Sequence, residues 1–128
     1  MSELPVILVV EDEAPIQSVV EDALTASGFE LAFAFSGEEA LTLIRSQLVA
    51  YRGLVVDIRL TGRMTGWDLA REVRKLDPEF PVIYMTGVGA PEWAALGVPN
   101  SILVTKPFAP AQLVTAVSQL LNAGKAPA

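Results

Sequence analysis

Four apolar runs in this chain each stop abruptly at a polar residue. Val6-Ile7-Leu8-Val9-Val10 runs into Glu11-Asp12, and Leu54-Val55-Val56 runs into Asp57. Val82-Ile83-Tyr84-Met85 runs into Thr86, and Ile102-Leu103-Val104-Thr105 runs into Lys106. Short continuous apolar runs rich in β-branched residues suit strands covered on both faces. In an open parallel sheet, ligands bind outside the carboxyl ends of the strands, where the strand order reverses. Glu11, Asp12, Asp57, Thr86 and Lys106 are therefore expected to converge on one pocket. Carboxylates, a hydroxyl and an ammonium are the groups that hold a divalent metal and a phosphoryl group.

Helical patterns separate these runs. Pro15 suits a first helical turn. Ile16, Val19, Val20, Ala23 and Leu24 then follow the spacing of a core-facing helix, and Gly28 marks its left-handed end. Glu30 to Phe35 alternates and reads as a further strand, at an edge. Ser36 and Glu39 carry a capping-box signature, followed by Ala40, Leu41, Ile44 and Leu48 as an inner face. Gly53 to Asp57 is the central strand. The stretch Ile58 to Met64 is a loop, and Thr65 with Asp68 opens a third helix that buries Leu69, Val73 and Leu76. Asp77-Pro78 stops it. Pro81 to Met85 and Ser101 to Val104 are strands. Between them Gly87, Gly89, Pro91, Gly97 and Pro99 oppose a long helix, leaving one or two turns around Glu92 to Leu96. Leu113, Ala116, Val117, Leu120 and Leu121 define a final helix, and residues 122–128 read as a polar tail. Five strands alternating with helices predict a doubly wound α/β sheet with right-handed crossovers.

Composition narrows the chemistry. The 128 residues suit one domain, 1–128 with a core over 6–121, and the hydrophobic fraction of 52% opposes disorder. The net charge is −6 and no basic stripe occurs, so nucleic acid is not an expected partner. The absence of cysteine and histidine excludes disulfides, thiol chemistry, a Ser-His-Asp triad and the usual zinc sites. No secretory pattern opens the chain, and no apolar run approaches the ~20 residues that span a bilayer. The expectation is a soluble, cytoplasmic protein with no membrane partner.

Together these residues resemble the receiver domain of two-component response regulators, over about Val6 to Leu121. The motif elements are Glu11-Asp12 after the first strand, Asp57 after the third, Thr86 after the fourth and Lys106-Pro107-Phe108 after the fifth. The resemblance implies a flavodoxin-like five-stranded parallel sheet of order 2-1-3-4-5. It implies phosphoryl transfer from a histidine kinase or histidine phosphotransfer protein to Asp57. Asp12, Asp57 and the backbone carbonyl of Arg59 are implied ligands of Mg²⁺, with Glu11 acting through a metal-bound water. Lys106 is implied to pair with the phosphoryl oxygens, Thr86 to hydrogen-bond to them, and the Lys106-Pro107 bond to be cis. With no effector domain after Leu121, output is expected to pass to a downstream effector protein, with a phosphate shuttle and a receiver excised from a hybrid kinase as the alternatives. A homodimer stays open. A single-domain switch of this kind is no enzyme beyond its own phosphorylation and dephosphorylation.

The sequence departs from the family in three places. Thr61 stands where proline is common, in a loop longer than usual before Gly66. Leu103, three before Lys106, replaces the usual Tyr or Phe. The span from Thr86 to Lys106 is short, which makes the fourth helix short or irregular. Two rival readings compete with the switch: a degenerate receiver that only binds partners, and a Mg²⁺-dependent phosphohydrolase that forms an aspartyl-phosphate. The second wants another acid two residues after Asp57, where Arg59 stands.

Each residue also has a plainer reading by itself. Asp57 suits a turn, Glu11 and Asp12 a helix start, Thr86 a strand end, and Lys106 a solvated surface. Glu13 reads as a solvated helix-start charge. Arg59 overhangs the pocket or contributes only its backbone, and Val88 neighbours the path of an attacking water. Trp67 and Trp93 read as packing residues, with Trp93 also a candidate for a partner surface. Met64 and Met85 read as loop and core residues.

Overall fold

The structure, a computed structural model, describes residues 4–87 and 92–123. Val88, Gly89, Pro91 and residues 124–128 lie outside the described residues, while residues 122 and 123, read as the start of the tail, belong to the final helix. The elements run β1 (Val6–Val10), α1 (Ala14–Ala26), β2 (Glu30–Ala34), α2 (Gly37–Ser46), β3 (Tyr51–Asp57), α3 (Gly66–Leu76), β4 (Val82–Thr86), α4 (Trp93–Leu96), β5 (Ile102–Thr105) and α5 (Pro110–Ala123). All strand pairs are parallel and the sheet order is β2-β1-β3-β4-β5. β2 and β5 form the edges.

Alternation along each strand divides the core. Leu8, Val10, Leu54, Val56 and Tyr84 face one side, packed with Leu41 of α2 and Leu69, Ala70 and Val73 of α3. Ile7, Val9, Val55, Ile83 and Met85 face the other, packed with Val20 and Leu24 of α1 and Leu113 and Val117 of α5. Burial on both faces is why the strands carry continuous apolar runs.

Local signals set most boundaries. The Thr65 hydroxyl accepts the Asp68 N–H (3.1 Å) and the Asp68 carboxylate accepts the Thr65 N–H (3.0 Å), a complete capping box for α3. At α2 the Ser36 hydroxyl accepts the Glu39 N–H, but the returning Glu39 carboxylate accepts from Phe35, one residue before the cap. β2 accordingly ends at Ala34 and leaves Phe35 exposed. Gly28 takes φ +93 just past α1, a conformation that favours glycine.

Four expectations need correction. β3 starts at Tyr51, ahead of Gly53: Val6 pairs with Tyr51 and Ile7 with Gly53, so Arg52 is an extra residue at a bulge. Leu48 is 88% exposed, because α2 ends at Ser46 and Gln47 turns left-handed (φ 57) before it. Leu76 is exposed as the last residue of α3, and Val19 lies on the flank of α1 beside the buried Val20, Ala23 and Leu24.

The segment before β5 is short, as its glycines and prolines imply: α4 has 4 residues, none buried. Side chains of α3 hold this segment in place. Arg74 donates to the carbonyls of Phe80, Pro99 and Asn100, and Arg71 donates to that of Leu96. Trp93 donates through its indole to the Ser101 hydroxyl.

Candidate functional site

Strand order puts the site where it is. β1 and β3 are neighbours, while the helices that come after them, α1 and α3, pack on opposite faces. The crevice at this switch point opens at the carboxyl ends of the strands. Val10 pairs with Val56, so Glu11 and Asp57 come level at its floor.

Lys106 reaches across from the end of β5. Its ammonium donates to Asp57 Oδ2 (2.7 Å) and to Glu11 Oε1 (3.0 Å), and Glu13 Oε1 lies 3.8 Å away. The second oxygen of each buried carboxylate takes a backbone N–H. Arg59 donates to Asp57 Oδ1 (2.9 Å) and Glu13 to Glu11 Oε2 (3.1 Å). Asp12 is exposed and accepts the Thr61 hydroxyl at Oδ2. Asp12, Glu13, Asp57, Arg59, Gly87 and Lys106 line a cleft of about 530 Å³.

Glu11 is 0% exposed and Asp57 6%. Burial pushes the Glu11 carboxyl up to about 7, against the pull of the Lys106 ammonium and with help from the Asp57 charge. Burial works to lower the Lys106 pKa, but its bonds to Asp57 and Glu11 outweigh it and hold the ammonium above its usual value. Glu11, Asp12 and Asp57 each offer an oxygen, all within 4.8 Å of one another. Three oxygen donors of like charge in a small volume match a hard divalent cation, so the cluster can hold a metal ion.

The structure thus brings Glu11, Asp12, Asp57 and Lys106 together. Thr86 ends β4, 5% exposed, and its carbonyl accepts the Lys106 N–H (2.6 Å). Arg59 lines the cleft, and the Lys106-Pro107 bond is cis. Glu13 is the solvated helix-start charge that the sequence suggests: it precedes α1 with its side chain 65% exposed, at the rim of the cleft and 3.8 Å from Lys106.

Three contributors are not evident from the sequence. Gly66 packs against the site strand so closely that a Cβ there would meet the Asp57 carbonyl at 2.5 Å and Ile58 Cα at 2.8 Å. Its place directly after the capping Thr65 is the one available signal. Tyr84 pairs in register with Leu103, packs at a tilt against Trp67 (ring centroids 4.7 Å, planes 54° apart) and accepts the Val98 N–H (3.1 Å). An aromatic ring therefore stands beside the Leu103 position, on β4 instead of β5. The third is the Thr61 contact to Asp12.

The family model for the response regulator receiver domain matches residues 7–118. The chain belongs to this family. A receiver protein from Sinorhizobium medicae is 45% identical with a TM-score of 0.90, covering 94% of this chain and 97% of that one. The receiver is also similar to the chemotaxis protein CheY4 of Vibrio cholerae, at 25% identity and a TM-score of 0.81, covering 92% of this chain and 99% of that one. Among curated proteins it is 34% identical over 118 residues to a probable transcriptional regulator, ycf27, of Porphyra purpurea. That match covers 91% of this chain and 47% of the relative, so the receiver spans about half the length of this relative. Response regulators are signalling proteins, and a phosphoryl-accepting switch is consistent with this site. Among the described residues, no helix is long and apolar enough to cross a membrane.

Proposed function

We propose that this receiver accepts a phosphoryl group on Asp57 from a histidine kinase or histidine phosphotransfer protein in the cytoplasm, with Mg²⁺, and signals to an effector protein. One observation carries the reading: the Lys106 ammonium is bonded to a buried strand-end carboxylate that has two more carboxylates beside it. An Asp57 oxygen attacks phosphorus, the bond from phosphorus to the donor nitrogen breaks, and that electron pair leaves with the imidazole. Asp57 is held for this by the Arg59 N–H and Lys106. Lys106 then follows the charge onto the phosphoryl oxygens, and the Thr86 hydroxyl turns to them. Asp12, Asp57 and the Arg59 carbonyl would hold Mg²⁺ directly and Glu11 through water. Bound there, the ion offsets the carboxylate repulsion and the phosphoryl charge. Incubation with acetyl phosphate and Mg²⁺ should add one phosphoryl group by mass, and a chelator should prevent it. Mass unchanged in the presence of Mg²⁺ would refute the reading.

Asp12→Ala tests the metal. Mg²⁺ that binds only the folded chain stabilises it by RT ln(1 + [L]/Kd). The variant should lose most of the Mg²⁺-dependent rise in Tm, and its metal-free Tm should rise as like-charge repulsion is relieved. An undiminished response to Mg²⁺ would remove Asp12 from the ligand set.

The weak segment suggests the route of the signal. α4 has no buried residue and takes one exposed bond from α3, from Arg71 to the Leu96 carbonyl, so it opens at low free energy. Lys106 lines both the acidic cleft and a groove of about 830 Å³ along β5 and α5, which suits an effector contact. With a beryllofluoride mimic, hydrogen-exchange protection should rise over residues 92–100 and change little in α1 and α2. Changes confined to residues 58–64 would mean that the signal leaves by another face.

A further inference from the structure

We infer that Thr61 is a positioning residue that sets the Asp12 carboxylate for the divalent cation, and that Glu38 on α2 keeps Thr61 in place. The inference rests on the proposed metal-assisted function. Glu11 and Asp57 are each fixed by a backbone N–H and by Lys106. Asp12 is exposed, and an exposed carboxylate left to itself samples several rotamers. The Thr61 hydroxyl, 49 residues away in sequence, donates to Asp12 Oδ2 and selects one of them.

The loop that carries Thr61 is braced from the other side. Thr61 forms an isolated parallel bridge with Ser36, the N-cap of α2. Glu38 in the first turn of α2 accepts the N–H groups of Arg63 (2.9 Å) and Met64 (3.3 Å) through Oε2. Beside them Gly62 takes φ +104, and a Cβ there would lie 2.9 Å from Glu38 Oε1. The Glu38 carboxyl is held below its usual range by its own backbone N–H first and by that of Arg63 next. The loop is thus tied to α2 on one side and to Asp12 on the other. A proline at position 61 would supply no hydroxyl to Asp12.

The test is Mg²⁺ affinity, read from the rise in Tm with Mg²⁺ concentration on the full chain. Thr61→Val should weaken Mg²⁺ binding about fivefold, the worth of one typical net hydrogen bond. Thr61→Ser should bind as the parent does, and Glu38→Ala should weaken binding by less than Thr61→Val. A merely structural role would shift the metal-free Tm and leave the Mg²⁺ dependence alone. Thr61→Val with unchanged or tighter Mg²⁺ binding overturns the inference. In an Asp12→Ala background the Thr61→Val effect should vanish, and its persistence also overturns the inference. A parent chain that shows no response to Mg²⁺ defeats the metal reading itself, a result distinct from either of these.

Discussion

Asp57→Asn ends phosphoryl uptake by this chain. The amide oxygen is a poor nucleophile, and the amide brings no charge to pair with the Lys106 ammonium 2.7 Å away. No neighbour can take over the role. Glu11 is fully buried, with one oxygen taken by the Lys106 ammonium and the other by the Glu13 N–H. Asp12 faces solvent with one oxygen taken by Thr61. Intact-mass measurement after acetyl phosphate and Mg²⁺ should therefore show no added group on the variant, against one on the parent. The variant should stay folded, because the isosteric amide still accepts from Lys106 and loses the repulsion of Glu11. Labelling equal to that of the parent, mapped to Asp12 or elsewhere, would displace Asp57 as the acceptor.

Gly66→Ala should be strongly destabilising. Gly66 opens α3 and donates its N–H to the Ile58 carbonyl (2.9 Å). That bond pulls the helix onto the backbone just after Asp57, where a methyl group has no room. The atoms it would strike are backbone, so relief requires α3 or the end of β3 to move. Overpacking of this kind costs typically 1–3 kcal/mol, which lowers Tm by roughly 4–12 °C. The same displacement misplaces Asp57 against Lys106, so phosphoryl uptake should slow as well. An unchanged Tm would mean that α3 slides freely and that Gly66 is not a structural hinge of the site.

Much of the fold is legible along the chain because its determinants are local. Apolar runs mark the strands, Ser36 and Thr65 mark helix starts, and Gly28 marks an end, since each signal acts within one or two turns of itself. The short α4 is legible for the same reason: glycine and proline act where they stand. Where a signal needs a partner, the reading falters. Leu48 has helical spacing but comes after a left-handed break at Gln47, and Leu76 has it but sits at the last turn of α3. Arg52 precedes the apolar run that marks the central strand, yet the ladder with β1 carries it as a bulge.

The acidic cluster divides in the same way. The strand ends at Glu11, Asp12, Asp57, Thr86 and Lys106 are written in the sequence, because a run of apolar residues that stops at a polar one defines its own terminus. Tertiary structure alone decides what each group leans on. Lys106 reaches Glu11 across 95 residues, Thr61 reaches Asp12 across 49, and Glu38 holds the Arg63 N–H across 25. It also decides that Tyr84 stands beside Leu103 and that Gly66 abuts Asp57. These contacts depend on strand order and on the close approach of chain segments far apart in sequence, and neither periodicity nor capping carries that information.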